Sequence, residues 1–83
     1  MQTFNLLIAT PEKTLFEGDV LSAIFPGSEG QFEILPNHAP IIASLKKGIV
    51  SITDSNNENH SIPIPGGFVE KSGTAEGTCI LLT

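Results

Sequence analysis

The feature that most constrains this chain is a two-residue rhythm that never gives way to a helical one. Phe4, Leu6 and Ile8 alternate with Thr3, Asn5 and Leu7. That period places successive side chains on opposite faces of a strand. No long stretch carries apolar residues at i, i+3 and i+4. Glycine and proline break the alternation at short intervals, as at Pro11, Gly18, Pro26-Gly27, Pro36, Gly48 and Gly66-Gly67. Breaks of this kind end strands and start turns.

The pattern predicts about nine or ten short strands. After the first, Thr10-Pro11-Glu12-Lys13 is a turn, with Pro11 suited to its second position. Residues 15–17 form a short strand that Gly18-Asp19 breaks. Residues 20–25 carry apolar side chains on both faces, as a central or covered strand does. Phe32 and Ile34 point one way in the next strand, and Pro36 ends it for want of an N–H. Residues 41–45 and 49–53 are strands joined by a hairpin turn at Lys46-Lys47-Gly48. Residues 54–59 are polar and form an exposed loop tip. Pro63 marks an edge strand, Gly66-Gly67 a turn or bulge, residues 72–77 a loop and residues 78–82 the last strand. The expected architecture is one all-β domain over 1–83 with no substantial helix. It is an antiparallel β-sandwich or flattened barrel.

Composition excludes several functions. The formal charge is −5, from nine acids against four Lys and no Arg. A nucleic-acid binder needs cations to displace counterions from phosphates, and an anionic membrane surface repels an acidic chain. Cys79 is the single cysteine, so no internal disulfide framework exists, unlike most small secreted domains. The N-terminus lacks the basic and apolar regions of a signal peptide. No apolar run approaches the roughly 20 residues of a membrane helix. The expectation is a soluble chain whose contact with a membrane is indirect.

Catalytic and metal chemistry find little support. The two histidines, His38 and His60, are not at ligand spacing, and there is no cysteine pair. His60 stands beside the polar loop and is expected to be solvated. His38 is expected to hydrogen-bond within its proline-stiffened loop or to pack on a partner. Cys79 alternates with apolar neighbours, as a small buried hydrophobe does. Glu29 and Glu33 read as a solvated acidic face. Gly27, Gly30, Gly66 and Gly67 precede no helix, so they read as strand turns rather than a phosphate cradle. What remains is a binding or structural role. Ile41-Ile42-Ala43 is the surface clue: either that strand is covered on both faces or one face is a docking surface.

Gly27-Ser28-Glu29-Gly30, then Ile34-x-Pro36-x-His38-Ala39-Pro40, then Lys47-Gly48-Ile49-x-x-Ile52 and Gly66-Gly67-Phe68-x-Glu70 follow one another in order. In this the chain resembles the N-terminal β-sandwich domain of the epsilon subunit of rotary F-type ATP synthases, over nearly its whole length. The resemblance implies two five-stranded sheets at the foot of a rotating central stalk. It implies a rotor part that couples a proton-driven c-ring to the gamma subunit during ATP synthesis, with no active site, cofactor or metal of its own. Thr10, His38, Ala39, Pro40, Ile42 and Ala43 would face gamma. Gly27, Ser28, Glu29, Gly30 and Gln31 would face the c-ring. The implied setting is a monomer within the complex, peripheral to the cytoplasmic, stromal or matrix-equivalent face of a coupling membrane. Most of that family carries a C-terminal helical hairpin that inhibits ATP hydrolysis. Here the sequence stops at Thr83, so inhibition of that kind is expected to be absent. The rival reading is an unrelated protein- or carbohydrate-binding sandwich, which the lack of Trp and Tyr disfavours.

Overall fold

The computed structural model describes residues 2–73 and 77–83, and its regular structure is all strand. The strands are β1 (Phe4–Ala9), β2 (Thr14–Gly27), β3 (Gly30–Ile34), β4 (Ile41–Leu45), β5 (Gly48–Asp54), β6 (Asn59–Ile64), β7 (Gly67–Lys71) and β8 (Thr78–Leu82). There are eight rather than nine or ten among the described residues, because the stretches at 15–17 and 20–25 belong to one 14-residue strand. Gly18 and Asp19 do not interrupt it. They pair with Leu6 and Asn5 of β1, and that ladder holds them extended.

The length of β2 lets it serve both layers of a β-sandwich. Its first half pairs with β1, and its second half pairs with β3 on one edge and β5 on the other. One layer runs β2–β1–β8–β7–β4, the five strands expected; the other runs β3–β2–β5–β6, four strands with β2 counted again. Most pairings are antiparallel, but β1 and β8 are parallel. A β-bulge between Val20 and Ser22 accompanies the passage of β2 from one layer to the other.

Lys46-Lys47 is a corner, not a hairpin. β4 pairs with β7 and not with β5, and Leu45 meets β2 only at Gly27. The Lys46 N–H donates to the Pro26 carbonyl at 2.9 Å, so the chain turns across the end of β2 and changes layer. β6 lies at the end of its layer, so Pro63 sits on an edge strand as its missing N–H requires.

Alternation delivers the core. Phe4, Leu6 and Ile8 of β1, Val20, Ala23 and Phe25 of β2, and Val50 and Ile52 of β5 are all buried in one cluster. Full burial of each large apolar side chain stabilises the fold by about 1.5–3 kcal/mol relative to exposure. The alternation that turns Val69 inward also turns Lys71 inward, to 1% exposure. Its Nζ donates to the Ser72 carbonyl at 3.3 Å and lies 5.7 Å from the Phe4 ring centroid. An aromatic face and a carbonyl both favour a buried ammonium. Cys79 pairs with Lys71 across β7–β8 and is fully buried. Burial pushes its thiol up to about 12, against the opposing pull of the Lys71 charge. It is the small hydrophobe expected, not a nucleophile.

The expected loop at 72–77 falls partly outside the described residues. On either side of it, β7 and β8 pair from Phe68↔Leu82 to Lys71↔Cys79.

Candidate docking surface

Gly27 ends β2 and Gly30 starts β3, so residues 27–30 form a tight turn at one end of the sandwich. Gly30 has φ +132, as a strand turn of this kind asks of glycine. The turn is tied to the other layer. The Ser28 N–H donates to the Ser44 carbonyl at 3.0 Å, and Ser44 Oγ donates to Ser28 Oγ at 3.0 Å. Together the turn and β4 enclose a hollow of about 450 Å³ lined by Gly27, Ser28, Glu29, Gly30, Phe32 and residues 41–44. The glycine turn and the Ile42-Ala43 segment, separate in the sequence, thus meet in one concavity. Gln31 is exposed beside it, paired with Pro26 and outside the lining.

The five-stranded layer turns an apolar face outward. Ile42 is 75% exposed, Phe68 65%, Leu82 59% and Ile80 36%. Strand register sets them in two rows: Ile42–Glu70–Ile80–Leu7 and Ser44–Phe68–Leu82–Ala9. Of the two readings open for residues 41–43, both alternating positions are now explained. Ile41 and Ala43 pack on the core, and Ile42 faces out. At the far end of the face, Ala9, Thr10, Pro11, Phe68, Leu82 and Thr83 border an open groove of about 660 Å³. Thr10 therefore reaches Ile42 only through Phe68 and Leu82. Its hydroxyl is occupied locally, accepting the N–H groups of Glu12 and Lys13 at 3.2 and 3.0 Å. Phe68, Ile80 and Leu82 lie outside the set of contact residues expected from the sequence. Their signal is present in the alternation, since the buried partners Val69 and Leu81 leave them on the outer face.

A sandwich with one apolar outer face has a recognisable relation among known proteins. Residues 3–80 match the family model described as ATP synthase, Delta/Epsilon chain, beta-sandwich domain. The chain belongs to that family. The ATP synthase epsilon chain of Chlorobium limicola is 45% identical over 82 residues, covering 99% of this chain and 90% of the relative. That of Campylobacter curvus is 40% identical over 82 residues, covering 99% of this chain and 61% of the relative. The fold superposes on a chain in the mitochondrial ATP synthase structure of Euglena gracilis that includes the c-ring. The TM-score is 0.89 at 18% identity, over 100% of this chain and 51% of that one. This epsilon-type fold thus spans about half the length of its solved counterpart.

In this epsilon-family sandwich, His38, Ala39 and Pro40 lie in the connection between β3 and β4 and line none of the hollows just described. The His38 N–H donates to the Leu35 carbonyl at 2.9 Å, and Nδ1 lies 2.7 Å from the Ala39 carbonyl. Only a protonated Nδ1 can donate there, which leaves Nε2 for other contacts. The local hydrogen bond expected of His38 is present.

His60 keeps part of its side chain in solvent, as expected, at 38% exposure, and is paired as well. Its Nε2 lies 2.7 Å from Asp54 Oδ2, and its ring stands edge-on to Phe16 at 5.3 Å. Asp54 also accepts the N–H groups of Asn56 and Glu58, both at 2.9 Å. The polar 54–59 tip hides this because its organising carboxylate sits at the end of β5 and reaches back to β6. The His60 hydrogen bond first, then that from Glu58, holds the Asp54 carboxyl below its ordinary value of 3.8. A depressed folded value contributes stability above 3.8 that is lost as pH falls through the lower value. Asp54→Asn should therefore destabilise the protein at neutral pH, with the deficit shrinking in acid. Melting both forms between about pH 2 and about pH 6 checks this, and a deficit that stays constant would refute it.

Proposed function

We propose that this chain acts as one domain over 1–83 and is a central-stalk rotor subunit of a proton-translocating ATP synthase. It couples the c-ring to the gamma subunit and carries no active site of its own. Membership of the epsilon family supports the reading. The observation that carries it to residues is the meeting of the glycine turn and β4 in one hollow beside an exposed apolar face. Two neighbouring surfaces of different character suit a part gripped by two partners. In this reading Thr10, Ile42 and Ala43, joined by Phe68 and Leu82, form the gamma side together with His38, Ala39 and Pro40. Gly27, Ser28, Glu29, Gly30 and Gln31 form the c-ring side. The subunit is a monomer within the complex and peripheral to a coupling membrane. No helix among the described residues is long and apolar enough to cross a membrane.

Torque transfer needs a stiff body. Strand pairing on both edges of β1 and β2 and a continuous apolar core meet that need.

The test is a tagged pull-down from native membranes, with co-purifying chains identified by mass spectrometry. Gamma and c subunits should be recovered with the chain. Recovery of neither, from membranes holding an intact synthase, would overturn the reading. Glu29 is exposed in the turn assigned to the c-ring, and an acid there suits a cationic partner loop. Glu29→Lys should weaken retention on membranes several-fold at low salt and less at high salt, because exposed charges are screened. Unchanged retention at low salt would remove Glu29 from that contact.

A further inference from the structure

The carboxylate of Glu70 is exposed amid apolar side chains, where a surface seated on those side chains would dehydrate it. Register sets Glu70 directly between Ile42 on β4 and Ile80 on β8, with Phe68 two residues along the same face. These side chains and Leu82 line a hollow of about 250 Å³ with Glu70 as its one charged residue. Neighbouring strands lie about 4.8 Å apart, so a surface seated on both Ile42 and Ile80 also covers what stands between them. The Glu70 carboxylate makes no hydrogen bond or ion pair among the described residues. Unpaired carboxylates resist transfer from water strongly, and loss of hydration must be offset by an opposite charge with hydrogen bonds.

We propose that the β4–β7–β8 face docks a protein surface that is apolar around one arginine or lysine, and that this cation pairs with Glu70. Glu70 thereby sets which partner fits and in what register. The inference rests on the rotor reading for the identity of that partner, the gamma subunit, and adds the chemistry of its contact. A second copy of this chain is the wrong occupant. Two such faces meeting about a twofold axis would bring Glu70 toward Glu70 in chains that each carry −5. A purely aliphatic partner is also excluded, because it would bury the carboxylate without a mate. Ile42, Phe68, Ile80 and Leu82 supply the water-excluding surround in which a charge pair has its largest effect on specificity.

The experiment measures binding of the synthase's own gamma subunit to the wild-type chain and to Glu70→Gln, Glu70→Lys and Phe68→Ala. Melting curves of the free variants establish that each is folded; both side chains are exposed. Glu70→Gln should weaken binding about 30-fold or more, because the partner's cation is left buried without its mate. Glu70→Lys should weaken it further. The loss from Glu70→Gln should persist at high salt, since a covered pair is poorly screened. Equal affinity for Glu70→Gln and wild type overturns the proposal, whatever Phe68→Ala does; if Phe68→Ala then loses binding, the rotor reading survives alone. Failure of wild-type protein to bind gamma at all overturns both.

Discussion

Gly67→Ala is expected to destabilise this fold by about 3 kcal/mol or more, through strain and collision together. Gly67 has φ +149, a region that L side chains rarely occupy. A Cβ there would press into the Leu82 carbonyl oxygen and lie 3.2 Å from Thr83 Cα. Both obstacles are backbone, so no rotamer change relieves them. They belong to β8 and the residue after it, and the pairing of β8 with β7 begins one residue on, at Phe68↔Leu82. Relief therefore means opening that ladder or the β4 contact Leu45↔Gly67 on the other side. A chain of this size has about 4–12 kcal/mol of total stability, so the loss is a large share. Gly30→Ala separates the two causes. Gly30 has φ +132, but nothing lies within 4 Å of where its Cβ would stand, so only strain remains, about 1–3 kcal/mol. Urea unfolding of both variants measures the difference. Equal losses would mean that the close approach at Gly67 contributes nothing.

Strand content is legible in the sequence because alternation is a local property. Phe4, Leu6 and Ile8 declare their face without reference to any other strand. Pairing is a different matter. Gly18-Asp19 looks like a break because glycine and aspartate are weak strand formers. The ladder to Leu6 and Asn5 overrides that preference. Lys46-Lys47-Gly48 looks like a hairpin because it is short and polar. Whether two flanking strands pair with each other depends on where their outer edges find partners, and β4 finds β7. The parallel pairing of β1 with β8 joins the two ends of the sequence, and no local signal encodes it.

The candidate surface is legible in part for the same reason. Motif residues such as Gly27, Gly30 and Ile42 stand out singly. The apolar face emerges only when β4, β7 and β8 are set side by side, since Phe68, Ile80 and Leu82 come from two strands and Ile42 from a third. Glu70 gains its meaning in the same way, from Ile42 and Ile80 across the sheet. Lys71 departs from the solvated place that a charged residue type suggests, and the half-exposed His60 gains a partner that its polar neighbours do not announce. Register turns Lys71 onto Phe4 and gives His60 the Asp54 carboxylate.

A pair of phenylalanines tests whether core and docking surface are separable. Phe25 is fully buried, and its ring stacks on Phe32 with centroids 5.6 Å apart. Phe68 is largely exposed on the outer face. Phe25→Ala should cost about 3–5 kcal/mol through lost burial and the cavity left behind. At about 4–8 °C per kcal/mol for a protein of this size, the melting temperature should fall by more than about 12 °C. Phe68→Ala should move the stability of the free chain by no more than about 0.5 kcal/mol. Binding to gamma should show the reverse order at a temperature where both variants are folded. Phe68→Ala should weaken it about 10-fold or more, as loss of a central aromatic anchor does. Phe25→Ala should act on binding only through Phe32, which lines the hollow beside Ile41 and Ala43. A Phe68→Ala variant that melts early yet binds gamma normally would place Phe68 in the folding core and remove this face from the interface.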